Sequence, residues 1–175
     1  MGEVIRAKIA KAPVTCEVAP HHLWFTDSDY RVNPPIRTKE DRDFLIWAIE
    51  NGYVDAIATD HAPHTAEDKK NGAPGMVGLE TAFGVCYTIL VKERRLPLTL
   101  LSRLMSAGPA KILGVQKGRL LPGYDADFAL VDENREWVVD AAQFASKGKN
   151  SPFDGVRLQG KVVRTIKAGK TTWQE

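Results

Sequence analysis

Apolar and polar positions change their period along this chain, and the change falls near residue 115. Residues 4–12 (VIRAKIAKA) read as the tail of a helix ended by Pro13, because proline lacks a backbone donor and clashes with the preceding turn. VTCEV at 14–18 is a β-branched run and a strand candidate that ends in Ala19, Pro20, His21 and His22. SDYRVNPPIR reads as a loop, since Pro34 and Pro35 forbid a helix. Thr38 then opens a helix, forming with Asp41 a capping box in which Asp replaces the usual Glu. Phe44, Leu45, Ala48 and Ile49 make its apolar stripe, and Gly52 stops it.

YVDAIATD at 53–60 is a second strand, apolar through its middle as a strand covered on both faces should be. HAPHTAEDKKNGAPGMVG follows as a loop of about 18 residues, a length that in compact domains usually signals function or disorder. Helical spacing returns over about 79–95 and 98–107, and Pro109 opens a short third helix closed by Gly114. Strands alternating with helices predict a parallel sheet. Beyond residue 115, KGRLLPGYDADFALVDENREWVVD and GVRLQGKVVRTIKAGKTTWQE alternate in short runs split by Gly, Pro and Asp, which predicts antiparallel strands. The expected division is residues 1–115 and residues 116–175.

Composition narrows the class. With 43% hydrophobic and 26% charged residues, the chain has the mix of a soluble globular protein. Twenty-four basic against 22 acidic residues give a net charge of +2, too balanced for a nucleic-acid partner. No apolar run approaches the ~20 residues of a membrane span, and residues 1–15 hold no secretory core. Cys16 and Cys86 make no disulfide framework and fit a reducing compartment, so a cytoplasmic location is expected.

Both strand candidates end in histidine-bearing loops. Ligands of parallel α/β sheets and barrels bind at the carboxyl ends of the strands, so residues 19–22 and 60–64 could face one site. Asp60 there could ligate zinc as a hard oxygen donor, or take a proton from attacking water. It could equally cap the next segment or pair with an arginine. His61 could be a packed turn residue, and His64, past Pro63, could bind an anion or serve as an ordinary loop histidine. His21 and His22 are adjacent and diverge; one packed and one hydrogen-bonded is expected. Cys16, Glu17, His21 and His22 match no structural zinc spacing, and Cys86 reads as core. Asn33, before two prolines, could hold a carboxylate or cyclic amide, or make an Asx turn. GAPGMVG at 72–78 could let backbone approach a ligand closely, or be a surface tip.

Together, VTCEVAPHHLWF, RVNPPIR, ATDHAPHT, GMVGLETAF, GRLLPGYDADFALVD and SPFDGVRLQGKVV, in that order, resemble the carboxyl-terminal portion of the dihydroorotases of the amidohydrolase superfamily. DHAPH favours dihydroorotase over dihydropyrimidinase and allantoinase, although a relative acting on a hydantoin or another cyclic amide stays open. The resemblance implies an α/β fold: the last two strands of a (β/α)8 barrel with their helices, then the carboxyl-terminal strands of a small β-sandwich. It implies that Asp60 is a metal ligand and proton acceptor. It also implies that Asn33 and His64 hold the substrate's carboxylate, and that Pro74 and Gly75 lie where backbone meets the pyrimidine ring. The reaction implied is the interconversion of dihydroorotate and N-carbamoyl-L-aspartate in pyrimidine biosynthesis, with Zn2+.

The pattern also departs from that family. The His-x-His strand, the bridging carboxylate and two further histidine ligands have no counterpart among the four histidines here. A barrel alone takes ~250 residues, so the chain resembles about the last two-fifths of such an enzyme. Expectations follow: an isolated chain that is inactive and binds zinc weakly, and open strand edges that recruit a second copy or a complementing chain. The alternative is an inactive scaffold for a partner such as aspartate transcarbamoylase.

Overall fold

The computed structural model describes residues 1–175. Helix α1 (Gly2–Ile9) ends just before Lys11, whose φ of +59° turns the chain. The β-branched run beyond Pro13 becomes β1 (Glu17–Val18). It pairs in parallel with β2 (Ala56–Ile57), Glu17 opposite Ala56 and Val18 opposite Ile57. Flanking bonds from Asp55 N–H to Cys16 O and from Ala58 N–H to Val18 O extend this ladder. The Asp55 carboxylate accepts from Cys16 N–H at 2.8 Å and pairs with Lys8, which ties α1 to the strands.

Between the strands lie α2 (Pro20–Trp24) and α3 (Lys39–Glu50). The loop expected after His22 therefore begins with a turn of helix, which Pro20 starts from its first position with φ already set. Helix α3 opens with the expected box: Thr38 Oγ1 accepts from Asp41 N–H, and the Asp41 carboxylate accepts from Thr38 N–H. Its buried face is Ile46, Ala48 and Ile49. Phe44, expected inside, lies outside and stacks on Trp47 at 5.6 Å.

The long loop after β2 contains α4 (Ala66–Lys70), begun by a second capping box, Thr65 with Asp68. Helix α5 (Ala82–Cys86) continues as a π-helical stretch, Tyr87–Glu93. The helices expected at 98–107 and from Pro109 are one unbroken run: α6 (Leu98–Ser102), a π turn (Arg103–Ala107) and α7 (Gly108–Leu113). Gly108 N–H bonds Arg103 O, five residues back. That wider turn makes room for the ring and missing donor of Pro109. Gly114 caps the run with φ +66°, the left-handed geometry that favours glycine.

Beyond residue 115 the strands are antiparallel as expected but long: β3 (Phe128–Val138), β4 (Arg157–Lys167) and β5 (Lys170–Gln174), in the order β3–β4–β5. Register shifts between Leu130 and Val131 and between Asp132 and Glu136 carry the polar stretch of β3 through without breaking it. The fold is thus mixed α/β, with one parallel pair and one antiparallel sheet. One apolar core of 24 residues joins both sides of residue 115: it contains Val18, Ile46, Ile57 and Leu90, but also Phe153 and Leu158.

Candidate functional site

Because β1 and β2 run parallel, the segments that leave their carboxyl ends emerge on one side. Asp60 stands there with φ +51°, a left-handed conformation that short polar residues adopt more readily than most. Its side chain is 46% exposed. It lines a groove of about 590 Å³ together with Glu17, Ala58, Asn33, Thr38 and Arg42. Neither alternative reading of Asp60 holds: it starts no helix, and the titratable side chain beside it is His21, with Nε2 3.8 Å from Oδ2, rather than an arginine.

His21 is 1% exposed, and neither ring nitrogen has a hydrogen-bond partner. Burial first, and His22 second, lower its pKa to about 4, so the ring is neutral near pH 7. His22 Nε2 lies 2.9 Å from Pro34 O, a carbonyl that can only accept, so this nitrogen donates and anchors the Asn33–Pro34–Pro35 turn. The adjacent histidines thus divide as expected, one packed and one bonded. Asn33, next to a cis peptide to Pro34, reaches the same groove as Asp60.

The second loop folds on itself. His61 Nδ1 accepts from Gly78 N–H at 3.2 Å, a turn role. His64 Nε2 lies 2.8 Å from Pro74 O. Gly75 has φ +132°, and a Cβ on it would stand 2.6 Å from Ala62 Cβ and 2.9 Å from Ala62 O, so only glycine fits. Its N–H donates to Arg31 O at 3.0 Å. Its carbonyl accepts from Lys69 Nζ at 2.9 Å and from Asn150 Nδ2 at 3.2 Å. The structure therefore brings His64, Pro74 and Gly75 together and places Asp60 with Asn33. His64 itself lines a second cavity of about 750 Å³, together with residues Ser146 to Asn150. The Gly75 backbone groups and the Pro74 carbonyl are all engaged within the protein.

Lys69 and Asn150 escaped sequence reading. The Thr65-x-x-Asp68 box was a usable signal for the helix that carries Lys69. Asn150 bonds His64 across 86 residues of sequence, and no local pattern reports such a contact.

Asp60, a hard oxygen donor open to a groove and without a lysine or arginine partner, suits one ligand position of a metal ion. No group of three or more His, Cys, Asp and Glu side chains in this chain could hold an ion. Cys16 donates instead to Tyr53 O at 3.2 Å. These residues do not by themselves form a metal centre.

Residues 6–172 match the family model described as Amidohydrolase family. A curated protein named dihydroorotase from Clostridium botulinum is 52% identical over 174 residues, covering 98% of this chain and 44% of that protein. One of the same name from Bacillus cereus is 46% identical over 184 residues, covering 98% and 43%. Among solved structures, an L-hydantoinase (dihydropyrimidinase) from Arthrobacter aurescens superposes with a TM-score of 0.93 at 35% identity, over 99% of this chain and 42% of that one. A dihydropyrimidinase from Brevibacillus agri NCHU1002 gives 0.90 at 22% identity over 98% and 41%, a likeness of fold alone. The chain spans less than half the length of the relatives it matches.

Proposed function

We propose that this chain, which belongs to the amidohydrolase family, carries the carboxyl-terminal barrel and sandwich elements of a dihydroorotase-type cyclic amide hydrolase. Residues 1–115 are read as the barrel portion, with β1 and β2 as its last strands, and residues 116–175 as the sandwich portion. The observation that carries the reading is the match to dihydroorotases at 52% and 46% identity over nearly the whole chain.

In this reading the substrate class is dihydroorotate and N-carbamoyl-L-aspartate, and the reaction opens or closes a cyclic amide in pyrimidine biosynthesis. Asp60 is the base: its groove-facing carboxylate takes a proton from water as that water attacks the ring carbonyl. Asn33 and His64 hold the substrate's carboxylate, and the Pro74–Gly75 backbone borders the ring. Asp60 would also hold one ligand position of a zinc ion whose remaining ligands these 175 residues do not supply, and bound zinc would add Lewis acidity there. No helix is long and apolar enough to cross a membrane, in line with a cytoplasmic enzyme. β1 and β2 have one neighbour each, and their open edges suit a second copy or a complementing chain.

The test is complementation. Alone, the chain should show negligible turnover of dihydroorotate and substoichiometric zinc. Co-folded with the amino-terminal part of the C. botulinum relative it should turn dihydroorotate over, and Asp60→Ala should cut kcat at least ~10³-fold with folding retained. Retained turnover in Asp60→Ala, or tight stoichiometric zinc on the chain alone, overturns the assignment. Two other readings are separated by the same complex. The likeness to an L-hydantoinase favours a hydantoin-type substrate, shown by turnover of hydantoins without dihydroorotate. An inactive scaffold is shown by binding of a partner such as aspartate transcarbamoylase with no turnover in any complex.

A further inference from the structure

Two side chains from distant parts of the chain converge on one peptide of the His64–Gly75 loop. Lys69, on α4, uses all three ammonium donors on carbonyls: Ala73 O at 2.9 Å, Gly75 O at 2.9 Å and Arg31 O at 3.1 Å. Its Nζ also sits 4.4 Å from the centroid of the Tyr30 ring. It therefore ties the loop to the Tyr30–Asn33 turn. Asn150 comes from the segment between β3 and β4. Its Oδ1 accepts from His64 N–H at 2.9 Å, its Nδ2 donates to Gly75 O at 3.2 Å, and its own carbonyl accepts from Val77 N–H at 2.7 Å. The approach is close: a Cβ on Gly148 would stand 2.9 Å from Pro63 Cβ and 3.1 Å from His64 O.

We propose that Lys69 and Asn150 are positioning residues that grip the Gly75 carbonyl between them, and so fix His64 and the Pro74–Gly75 backbone relative to Asn33 for substrate binding. The loop that contacts substrate is thereby set by the sandwich side of the molecule as well as by the strands that bear it. This proposal rests on the dihydroorotase-type reading of His64 and Asn33. Neither residue touches substrate; each acts through the loop it holds, so its effect falls on affinity rather than on chemistry.

The experiment uses the 175-residue chain, ¹⁵N-labelled and co-folded with the amino-terminal part of the C. botulinum relative, with amide exchange at Gly75 and His64 and titration with N-carbamoyl-L-aspartate as readouts. Lys69→Met keeps the alkyl stem over Tyr30 and removes the three donors. Asn150→Asp keeps the acceptor for His64 N–H and replaces the donor toward Gly75 O with an oxygen. In both variants Gly75 exchange should quicken at least tenfold and affinity should fall at least tenfold, while Tm and exchange across β4 stay unchanged. In Asn150→Asp the His64 amide should stay protected. Unchanged Gly75 exchange overturns the grip. Uniformly faster exchange with a lower Tm shows a merely structural role and overturns it too. Faster Gly75 exchange with unchanged affinity overturns the positioning role. If the unsubstituted complex binds no N-carbamoyl-L-aspartate, the substrate reading fails and the positioning role falls with it, whereas exchange still decides whether the grip exists.

Discussion

In the parallel pair β1–β2, three of the four laddered residues, Val18, Ala56 and Ile57, are buried. In β3 none of the 11 residues is buried, and all five of β5 are exposed. The two sheets are held by different forces. The parallel pair has almost no ladder and depends on the apolar shell around it, Ile46, Ile49 and Val54 among others. The antiparallel sheet has a long ladder of backbone bonds and touches the core along a narrow line, where Leu158 and Gly160 of β4 meet the helical segment that starts at Ala82. Asp60 and His64 leave the sheet where packing dominates and the strands are shortest; the antiparallel part reaches the His64 loop through the segment between β3 and β4, by Asn150 and the close approach of Gly148.

The largest effect is expected where that narrow line is tightest. Gly160 has φ +79°, and a Cβ there would stand 2.6 Å from Tyr87 Cδ1. A β-branched residue must take the left-handed cost of roughly 1–2 kcal/mol and an overpacking cost of roughly 1–3 kcal/mol. Gly160→Val should thus destabilise the chain by about 2–5 kcal/mol in urea unfolding, with amides of β3–β5 losing protection before those of α3. A loss below about 1 kcal/mol would mean the sheet does not lean on that contact. Gly84, across the line, sharpens the point. Its added Cβ would meet Trp137 Cζ2 at 3.0 Å and Gly160 O at 3.2 Å, but its backbone is helical. Gly84→Ala gains about 1 kcal/mol of helix propensity against that crowding, so the net change should stay within about 1 kcal/mol.

A smaller effect of opposite sign is expected in the packed half. His21 leaves two ring nitrogens buried and unpartnered next to Asp60. An unsatisfied buried polar group costs about 1–3 kcal/mol. His21→Leu should therefore raise stability by about 1–2 kcal/mol, read as a higher Tm, although it removes the polar neighbour of the proposed base. His21→Met, a more adaptable apolar side chain, should do the same. A fall in Tm for both would mean that the imidazole is satisfied in solution and that the parallel half carries no such cost.

This contrast also explains what the sequence made legible. The parallel pair, the placement of Asp60 at a strand end and the split of His21 from His22 follow from local rules of period and direction, so the residues alone point to them. The capping box of Thr38 and Asp41 is equally readable, whereas the same spacing at Thr65 and Asp68 opens only five helical residues inside a stretch that otherwise reads as loop. The polar run Asp132–Glu133–Asn134 hid the continuity of β3, since a strand that shifts register there needs no apolar alternation. The grip on Gly75 was invisible for a different reason: Asn150 and Gly75 are 75 residues apart, and only the folded chain brings them together. Which wall a groove residue faces is likewise a tertiary fact, which is why Asn33 and His64, expected in one site, line separate cavities.

The two capping boxes give the smallest and most discriminating comparison, because the same chemistry starts a helix that packs and a helix that does not. Helix α3 has 12 residues and buries Ile46, Ala48 and Ile49, whereas α4 has five and buries none. Removing a Thr cap typically costs ~1 kcal/mol. For Thr38→Ala that cost should appear in global unfolding, because α3 cannot fray without exposing core. For Thr65→Ala it should stay local: below about 0.5 kcal/mol globally, with faster exchange at Lys69 and Asn71, whose amides bond back into α4. Equal global costs would show that α4 is as firmly built in as α3. The three carbonyls held by Lys69 would then link that loop to the core strongly enough to erase the difference between the packed half and its margin.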